Sequence, residues 1–236
     1  MKKQNQNQKI VLSPAQQRTG DSLRRGIEIG DVLLLKARAG CGRSTILNRL
    51  REEVGGTLLG AEDFMHTLSA RHPEAVEEAF LQMIEQALAH QEIVIVDDLH
   101  LVTQVVSACD YPRTLLLDAA LTALMGEAVA LRRKLVFGSD DEVPWPVSRR
   151  AFTWKLAEFE PEDYACICRN VLGEAAERLD FARLHRYAPA LTAEQLRHTC
   201  LWLIHGNVVD TEAMIAYLRS HFLVSNVELE TETAFR

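Results

Sequence analysis

Short aliphatic runs alternate with longer segments of helical periodicity along the first two thirds of the chain. Such aliphatic runs predict buried strands, and they lie at Val32–Leu35, Gly56–Gly60, Glu92–Val96, Lys134–Ser139 and Trp154–Phe159. Residues with helical spacing lie at Pro14–Arg25, Ser44–Val54, Ala61–His90 and Arg113–Leu131, with a break at Pro73. This alternation predicts an α/β fold with a doubly wound parallel sheet.

The strand pattern stops after Phe159, and the chain then shows only helical periodicity. Pro161–Asp163 is typical of a helix start, because proline is tolerated in the first turn and acids favour the positive end of the helix dipole. Further helices are predicted at Asp180–Tyr187, Thr192–His205 and Asp210–Phe222. We therefore expect an α/β domain over residues 10–159 and a helical domain over residues 160–223. The polar segment 1–9 is expected to be a disordered tail, and the acidic segment 224–236 a linker or tail.

Composition narrows the classes of function. The 236 residues carry a net charge of −7, which argues against a protein that binds nucleic acid mainly through its phosphates. The five cysteines form no CxxC pair and no secretory signal is evident, so we expect a reduced, cytoplasmic protein. No apolar stretch approaches the ~20 residues that a membrane-spanning helix needs.

The loop Ala37–Thr45 follows a predicted strand and precedes a predicted helix, which is the context of a phosphate-binding P-loop. Its glycines allow a tight path, and the helix that follows directs its N-terminal dipole at the phosphates. The residues expected to bind ATP or ADP are Ala39, Gly40, Cys41, Gly42, Arg43, Ser44 and Thr45. The Ser44 hydroxyl is also expected to bind Mg²⁺.

This loop departs from the motif G-x-x-x-x-G-K-[ST] at two positions. Ala37 stands where the motif has glycine, and Arg43 stands where it has the lysine that reaches the β- and γ-phosphates. Arginine keeps the positive charge but is planar and bulkier. Phosphate binding with hydrolysis and phosphate binding without it therefore both remain open, as does a glycine turn that binds no ligand.

A second motif strengthens the interpretation of the loop. The aliphatic strand Glu92–Val96 ends in Asp97 and Asp98, which is the Walker B pattern. Asp97 is expected to hold Mg²⁺ through water, and Asp98 to polarise the attacking water. Glutamate is usual at the second position, and Asp98 is one methylene shorter.

With both motifs in this order, residues Val32–Phe222 resemble the AAA+ ATPases, and specifically the ring-forming AAA clade. The resemblance implies a P-loop NTPase sheet followed by a small all-helical AAA+ lid, with ATP or ADP and Mg²⁺ as ligands. Ser139 and Asp140 lie where the family places the sensor that follows the γ-phosphate. Arg149 and Arg150 lie where it places arginine fingers, which reach the nucleotide of a neighbouring subunit.

The resemblance also implies a function and partners. It predicts an ATPase module that couples ATP binding and hydrolysis to the assembly of a homo-oligomer or a ring with a related AAA+ domain, and to remodelling of a protein substrate or adaptor. The altered Arg43 and Asp98 resemble the degenerate first domain of a tandem AAA protein. One alternative is a structural domain that binds nucleotide without hydrolysing it. A second alternative is a DNA-linked AAA+ protein such as an initiator or clamp-loader relative.

Overall fold

The computed structural model describes residues 11–106 and 115–221, and their contacts group the chain into two compact units. One unit spans Arg18–Leu156, and the other combines the residues up to Gln17 with those from Ala157 onward. The sequence placed residues 10–159 in one domain, whereas the contacts group residues 11–17 with the helical unit. The two predicted tails, residues 1–9 and 224–236, lie outside the described residues, as do Arg113 and Phe222 at the ends of two predicted helices. No helix within 11–106 or 115–221 is both long and apolar enough to cross a bilayer.

The first unit is built on a parallel five-stranded sheet in the order β2-β3-β4-β1-β5. The strands are β1 (Val32–Lys36), β2 (Thr57–Leu59), β3 (Ile93–Val96), β4 (Lys134–Ser139) and β5 (Phe152–Lys155). The predicted α/β class with a parallel sheet is confirmed. The last strand was predicted at Trp154–Phe159 and in fact begins earlier, at Phe152. This edge strand is mostly exposed, so it lacks the aliphatic run that reveals a buried strand.

Helices connect these strands. They are α1 (Pro14–Ile29), α2 (Arg43–Val54), α3 (Ala61–Ser69), α4 (Val76–His90), α5 (Leu99–Val106), α6 (Leu116–Ala130) and α7 (Trp145–Arg150). The predicted break near Pro73 separates α3 from α4. Helices α5 and α7 were not predicted, because eight and six residues are too few to establish a helical period.

The central strands are buried on both faces, as expected for a parallel sheet covered by helices. Leu33, Leu34 and Leu35 in β1 are at most 1% exposed. On one face, alternate strand residues pack in a cluster with α4 and α6, and that cluster includes Leu34, Phe80, Ile84, Val96, Leu121 and Phe137. The sheet is therefore a firm platform, and the loops that follow its strands are fixed at their bases.

The second unit contains α8 (Pro161–Leu172), a 3-10 turn (Gly173–Arg178), α9 (Phe181–Tyr187), α10 (Ala193–His205) and α11 (Thr211–His221). Tyr164 in α8 is fully buried, and its hydroxyl donates to the Ala188 carbonyl oxygen at 2.6 Å and accepts from the Leu191 N–H at 3.0 Å. The Asp163 carboxylate accepts from the Ala15 N–H at 2.7 Å, which fixes the first turn of α1 within this unit. The buried polar groups of Tyr164 and Asp163 are thus tied to backbone partners.

Candidate functional site

The loop between β1 and α2 has the backbone of a phosphate-binding turn. Gly40 and Gly42 have φ angles of 76° and 89°, in the left-handed region that favours glycine. The Ala37 N–H donates to the Ser139 carbonyl oxygen at 3.0 Å, so β4 holds the start of the loop. Gly42 is the N-cap of α2 and no side chain caps this end of the helix. The first N–H groups of α2 therefore face outward as donors for an anion.

Arg43 is the first residue of α2, yet it is only 8% exposed. Its Nε donates to Asp97 Oδ1 at 2.6 Å, and its Nη2 donates to Asp98 Oδ1. Its Nη1 is buried and has no hydrogen-bond partner among the described residues. The guanidinium thus bridges the two carboxylates that follow β3, while its Nη1 group donates to neither of them.

Asp97 is the centre of this cluster of charged groups. Its Oδ1 also accepts from the Asp98 N–H at 2.8 Å, and its Oδ2 accepts from the Ser44 hydroxyl at 2.5 Å. Its own N–H donates to the Leu59 carbonyl oxygen at 2.8 Å, which fixes the end of β3 against β2. The structure therefore brings the two sequence motifs together, with Arg43, Ser44, Asp97 and Asp98 in direct contact.

Asp98 is held in an uncommon conformation, with a φ of 59°, as the chain turns from β3 into α5. Burial raises the pKa of its carboxyl above the ordinary value, and the charge of Asp97 raises it further. The charges of Arg43 and His100 oppose this shift. The carboxylate that the sequence assigned to water activation is therefore partly desolvated and bound to a guanidinium.

Two polar residues at the end of β4, Ser139 and Asp140, form hydrogen bonds to the backbone of the turn that follows. The Ser139 hydroxyl is fully buried and donates to the Glu142 carbonyl oxygen at 2.8 Å. Asp140 Oδ1 accepts from the Glu142 N–H at 2.9 Å. The other Asp140 oxygen lies 4.0 Å from Nε2 of His100, which is buried at the start of α5. The sensor role of Ser139 and Asp140 stays a prediction.

Comparisons with known proteins identify the architecture around this site. No protein-family model matches the chain, and the search of curated proteins found no match. Among solved structures, the chain is similar to domain III of the Thermotoga maritima replication initiation protein DnaA, with a TM-score of 0.59 and 16% identity over 89% of this chain and 93% of that chain. At this identity the likeness shows the fold, and that domain is an AAA+ fold.

The chain shares the fold of that domain. Its parallel sheet agrees with the predicted P-loop class. In open parallel α/β sheets, ligands bind outside the carboxyl ends of the strands, and a glycine loop between a strand and a helix can cradle phosphates. In this chain, Gly40, Gly42 and the start of α2 fit that purpose, and Arg43 Nη1 offers a buried donor beside them.

The same loop and carboxylates do not fit Mg²⁺. The cation needs carboxylate oxygens with open lone pairs, in near-octahedral geometry. Both Asp97 Oδ1 and Asp98 Oδ1 accept from the Arg43 guanidinium, which brings a fixed positive charge to the place between them. In residues 11–106 and 115–221, no three His, Cys, Asp or Glu side chains form a group that could hold a metal ion.

The floor of the site contains a glycine that the sequence analysis missed. A Cβ atom on Gly138 in β4 would lie 2.6 Å from Leu47 Cδ1 and 2.8 Å from Asp97 Oδ1. Only glycine lets β4 pass this close beneath the Arg43–Asp97 pair. The available signal was a glycine inside an aliphatic strand, which often marks a close approach of the backbone.

The two arginines expected as fingers are exposed at the end of α7. Arg149 Cζ lies 5.0 Å from the centroid of the Trp145 ring, in a cation–π contact. In the part of the chain that the structure describes, neither arginine forms an ion pair with Asp97 or Asp98. Both lie on the protein surface, and their role stays a prediction.

Proposed function

We propose that this chain is a nucleotide-binding AAA+ module that holds ADP or ATP at Ala39–Thr45 without hydrolysing it. The observation that carries this proposal is the ion pair of Arg43 with both Asp97 and Asp98. Of the functions that the sequence left open, a structural nucleotide-binding domain is the one that this geometry favours. The resemblance implies ATP hydrolysis, which is the alternative to this proposal.

The case for binding rests on the loop. Its two left-handed glycines and the uncapped start of α2 present N–H donors at one end of a buried sheet. Arg43 adds a buried positive group at the same position. Phosphate groups are the ligands that such a combination recognises best.

The case against hydrolysis rests on Asp98. A residue that polarises an attacking water needs a free carboxylate oxygen within hydrogen-bond reach of that water. Asp98 Oδ1 instead accepts from Arg43 Nη2. The side chain is also shorter than the glutamate that usually occupies this place. These two properties together favour a bound nucleotide that is kept intact.

The first prediction compares two glycines of α2. Gly42→Ala adds a methyl group at φ 89° beside the phosphates, and we expect it to weaken ADP binding at least tenfold. Gly55→Ala is the matched control, because Gly55 has a φ of 80° at the opposite end of the same helix with nothing within 4 Å. It should leave affinity unchanged. Isothermal titration calorimetry with ADP measures both variants.

Two results would contradict this function. If the unaltered chain binds neither ADP nor ATP at millimolar concentration, the loop is a glycine turn that holds no ligand. If the chain binds ATP and releases phosphate at the rate of an ordinary ATPase, about 1 s⁻¹ or faster, the hydrolysing alternative is correct. A phosphate-release assay on the calorimetry sample separates the two.

We further propose that the nucleotide stabilises an assembly of this domain with copies of itself or of a relative. Arg149 and Arg150 support this, because both are exposed on a short helix and available to a neighbouring subunit's phosphates. Arg150→Ala is expected to abolish any mass increase that ADP produces in light scattering. Arg49→Ala, which removes a half-buried arginine paired with Glu53 in α2, should not. An unchanged assembly in Arg150→Ala would remove that arginine from the interface.

Remodelling of a protein partner receives no support from the described side chains. Members of the resembled family that remodel proteins grip a polypeptide with an aromatic and a glycine in a loop after the second strand. The exposed segment 69–74, which follows β2 and α3 here, has no Phe, Tyr, Trp or glycine. The expectation against nucleic acid also stays a prediction. The similar domain belongs to a replication initiation protein, but its likeness shows the fold and not the partner.

A further inference from the structure

The position between the ends of β3 and α2 carries a permanent cation of its own. Arg43 contacts Asp97 through Nε and Asp98 through Nη2, so adjacent donors of one planar group satisfy two carboxylates. The side chain is 8% exposed and places the positive charge of a guanidinium between the two carboxylates. A divalent cation at this place would have to displace a buried guanidinium from both partners.

The geometry points to a cation substitution: the Arg43 guanidinium takes the place of Mg²⁺, and the chain binds metal-free nucleoside diphosphate. This inference rests on the proposed nucleotide-binding function and specifies the form of nucleotide that the site accepts. It reverses the expectation that Ser44 and Asp97 hold Mg²⁺. These two side chains are instead hydrogen-bonded to each other, and the Ser44 hydroxyl donates to Asp97 Oδ2.

The phosphate contacts follow from the donors that remain. Arg43 Nη1 is buried and has no hydrogen-bond partner among the described residues. A buried guanidinium N–H without an acceptor is unfavourable, and a bound anion would supply that acceptor. The first-turn N–H groups of α2 supply further donors at the same end of the helix. Nη1 and these N–H groups together can hold terminal phosphate oxygens without a bridging metal ion.

The charge of the site favours the diphosphate over the triphosphate. One guanidinium and two carboxylates sum to a net charge of −1 when both carboxylates are ionised. Each added phosphate brings further negative charge close to Asp97 and Asp98. Without Mg²⁺ this charge is not neutralised, so its repulsion by the carboxylates weakens binding. ADP is therefore the appropriate probe, with ATP as the comparison.

The test titrates ADP into the intact chain in EDTA and again in excess MgCl₂. We expect the two dissociation constants to agree within about threefold, and ATP in EDTA to bind more weakly than ADP. Tightening of ADP binding by tenfold or more in MgCl₂ would overturn the inference while leaving the proposed function intact. Absence of binding in both solutions would overturn the proposed function itself.

A second measurement uses Mn²⁺ alone and does not depend on nucleotide. Electron paramagnetic resonance should detect no bound Mn²⁺ on the unaltered chain, and should detect one bound ion on Arg43→Ala, in which the two carboxylates are released. Arg49→Ala, on the same helix and paired with Glu53, is the matched control and should behave as the unaltered chain. Mn²⁺ bound to the unaltered chain, or absent from a folded Arg43→Ala, would show that Arg43 does not occupy the cation's place.

Discussion

Asp97→Asn is expected to lower the free energy of unfolding by about 3 kcal/mol, because it removes one of the two carboxylates that neutralise the buried Arg43 guanidinium. Asn keeps the shape of the side chain but removes the charge that faces Arg43 Nε at 2.6 Å. Asp98 still pairs with the guanidinium, so the expected loss is at the lower end of the range for breaking a buried ion pair. Urea unfolding followed by far-UV circular dichroism measures the change.

The control for this prediction is a second aspartate that pairs with a cation in the same unit. Asp141 lies 4.0 Å from Lys36 Nζ, and its side chain is 75% exposed. Asp141→Asn should change the free energy of unfolding by less than about 0.5 kcal/mol, because solvent screens the pair. A loss below about 1 kcal/mol in Asp97→Asn would show that the Arg43–Asp97 pair is not the stabilising centre of the site.

Gly138→Ala is expected to lower the free energy of unfolding by about 2 to 3 kcal/mol through overpacking. The new methyl group would lie 2.6 Å from Leu47 Cδ1 and 2.8 Å from Asp97 Oδ1. Neither neighbour can move freely, since Leu47 is fully buried and Asp97 is held by hydrogen bonds from Arg43 and Ser44. The same variant should weaken ADP binding, because the displaced Asp97 carries Arg43 with it.

A glycine in α6 provides the opposite result for the same chemical change. Gly126 is exposed, and a Cβ atom there would meet nothing within 4 Å. Gly126→Ala should raise the free energy of unfolding by about 1 kcal/mol, because alanine has the higher helix propensity. If both variants lose stability equally, the close approach at Gly138 is not the cause of its effect. Thermal and urea unfolding of the two variants side by side decide between these results.

The predicted elements show which local patterns are informative. The runs at Val32–Leu35 and Lys134–Ser139 were recognisable because strands buried on both faces need aliphatic residues at every position. The position of β5 was predicted wrongly because this strand lies at the edge of the sheet and is mostly exposed. Exposed strand residues need not be aliphatic, so no aliphatic run marks the strand. The short helices α5 and α7 span too few turns for a period to emerge.

The candidate site was only partly readable from sequence. Ser44, Asp97 and Asp98 were predicted from recognisable strand and loop patterns, and the structure places them in contact with Arg43 or with one another. His100 and Gly138 were missed, since each gains its place in the site from a neighbour on another element. Such neighbours are set by the pairing of β3 with β4, which no local pattern encodes.

The sequence by itself determined the alternation of strands and helices, the glycine turn before α2 and the presence of two carboxylates after β3. These follow from local properties: the period of burial, the conformational freedom of glycine and the charge of side chains. Only the tertiary structure decided that Arg43 turns to Asp97, 54 residues away. The direction of a long side chain depends on which charges the folded sheet brings within reach, because a buried guanidinium is stable only beside its counter-charges.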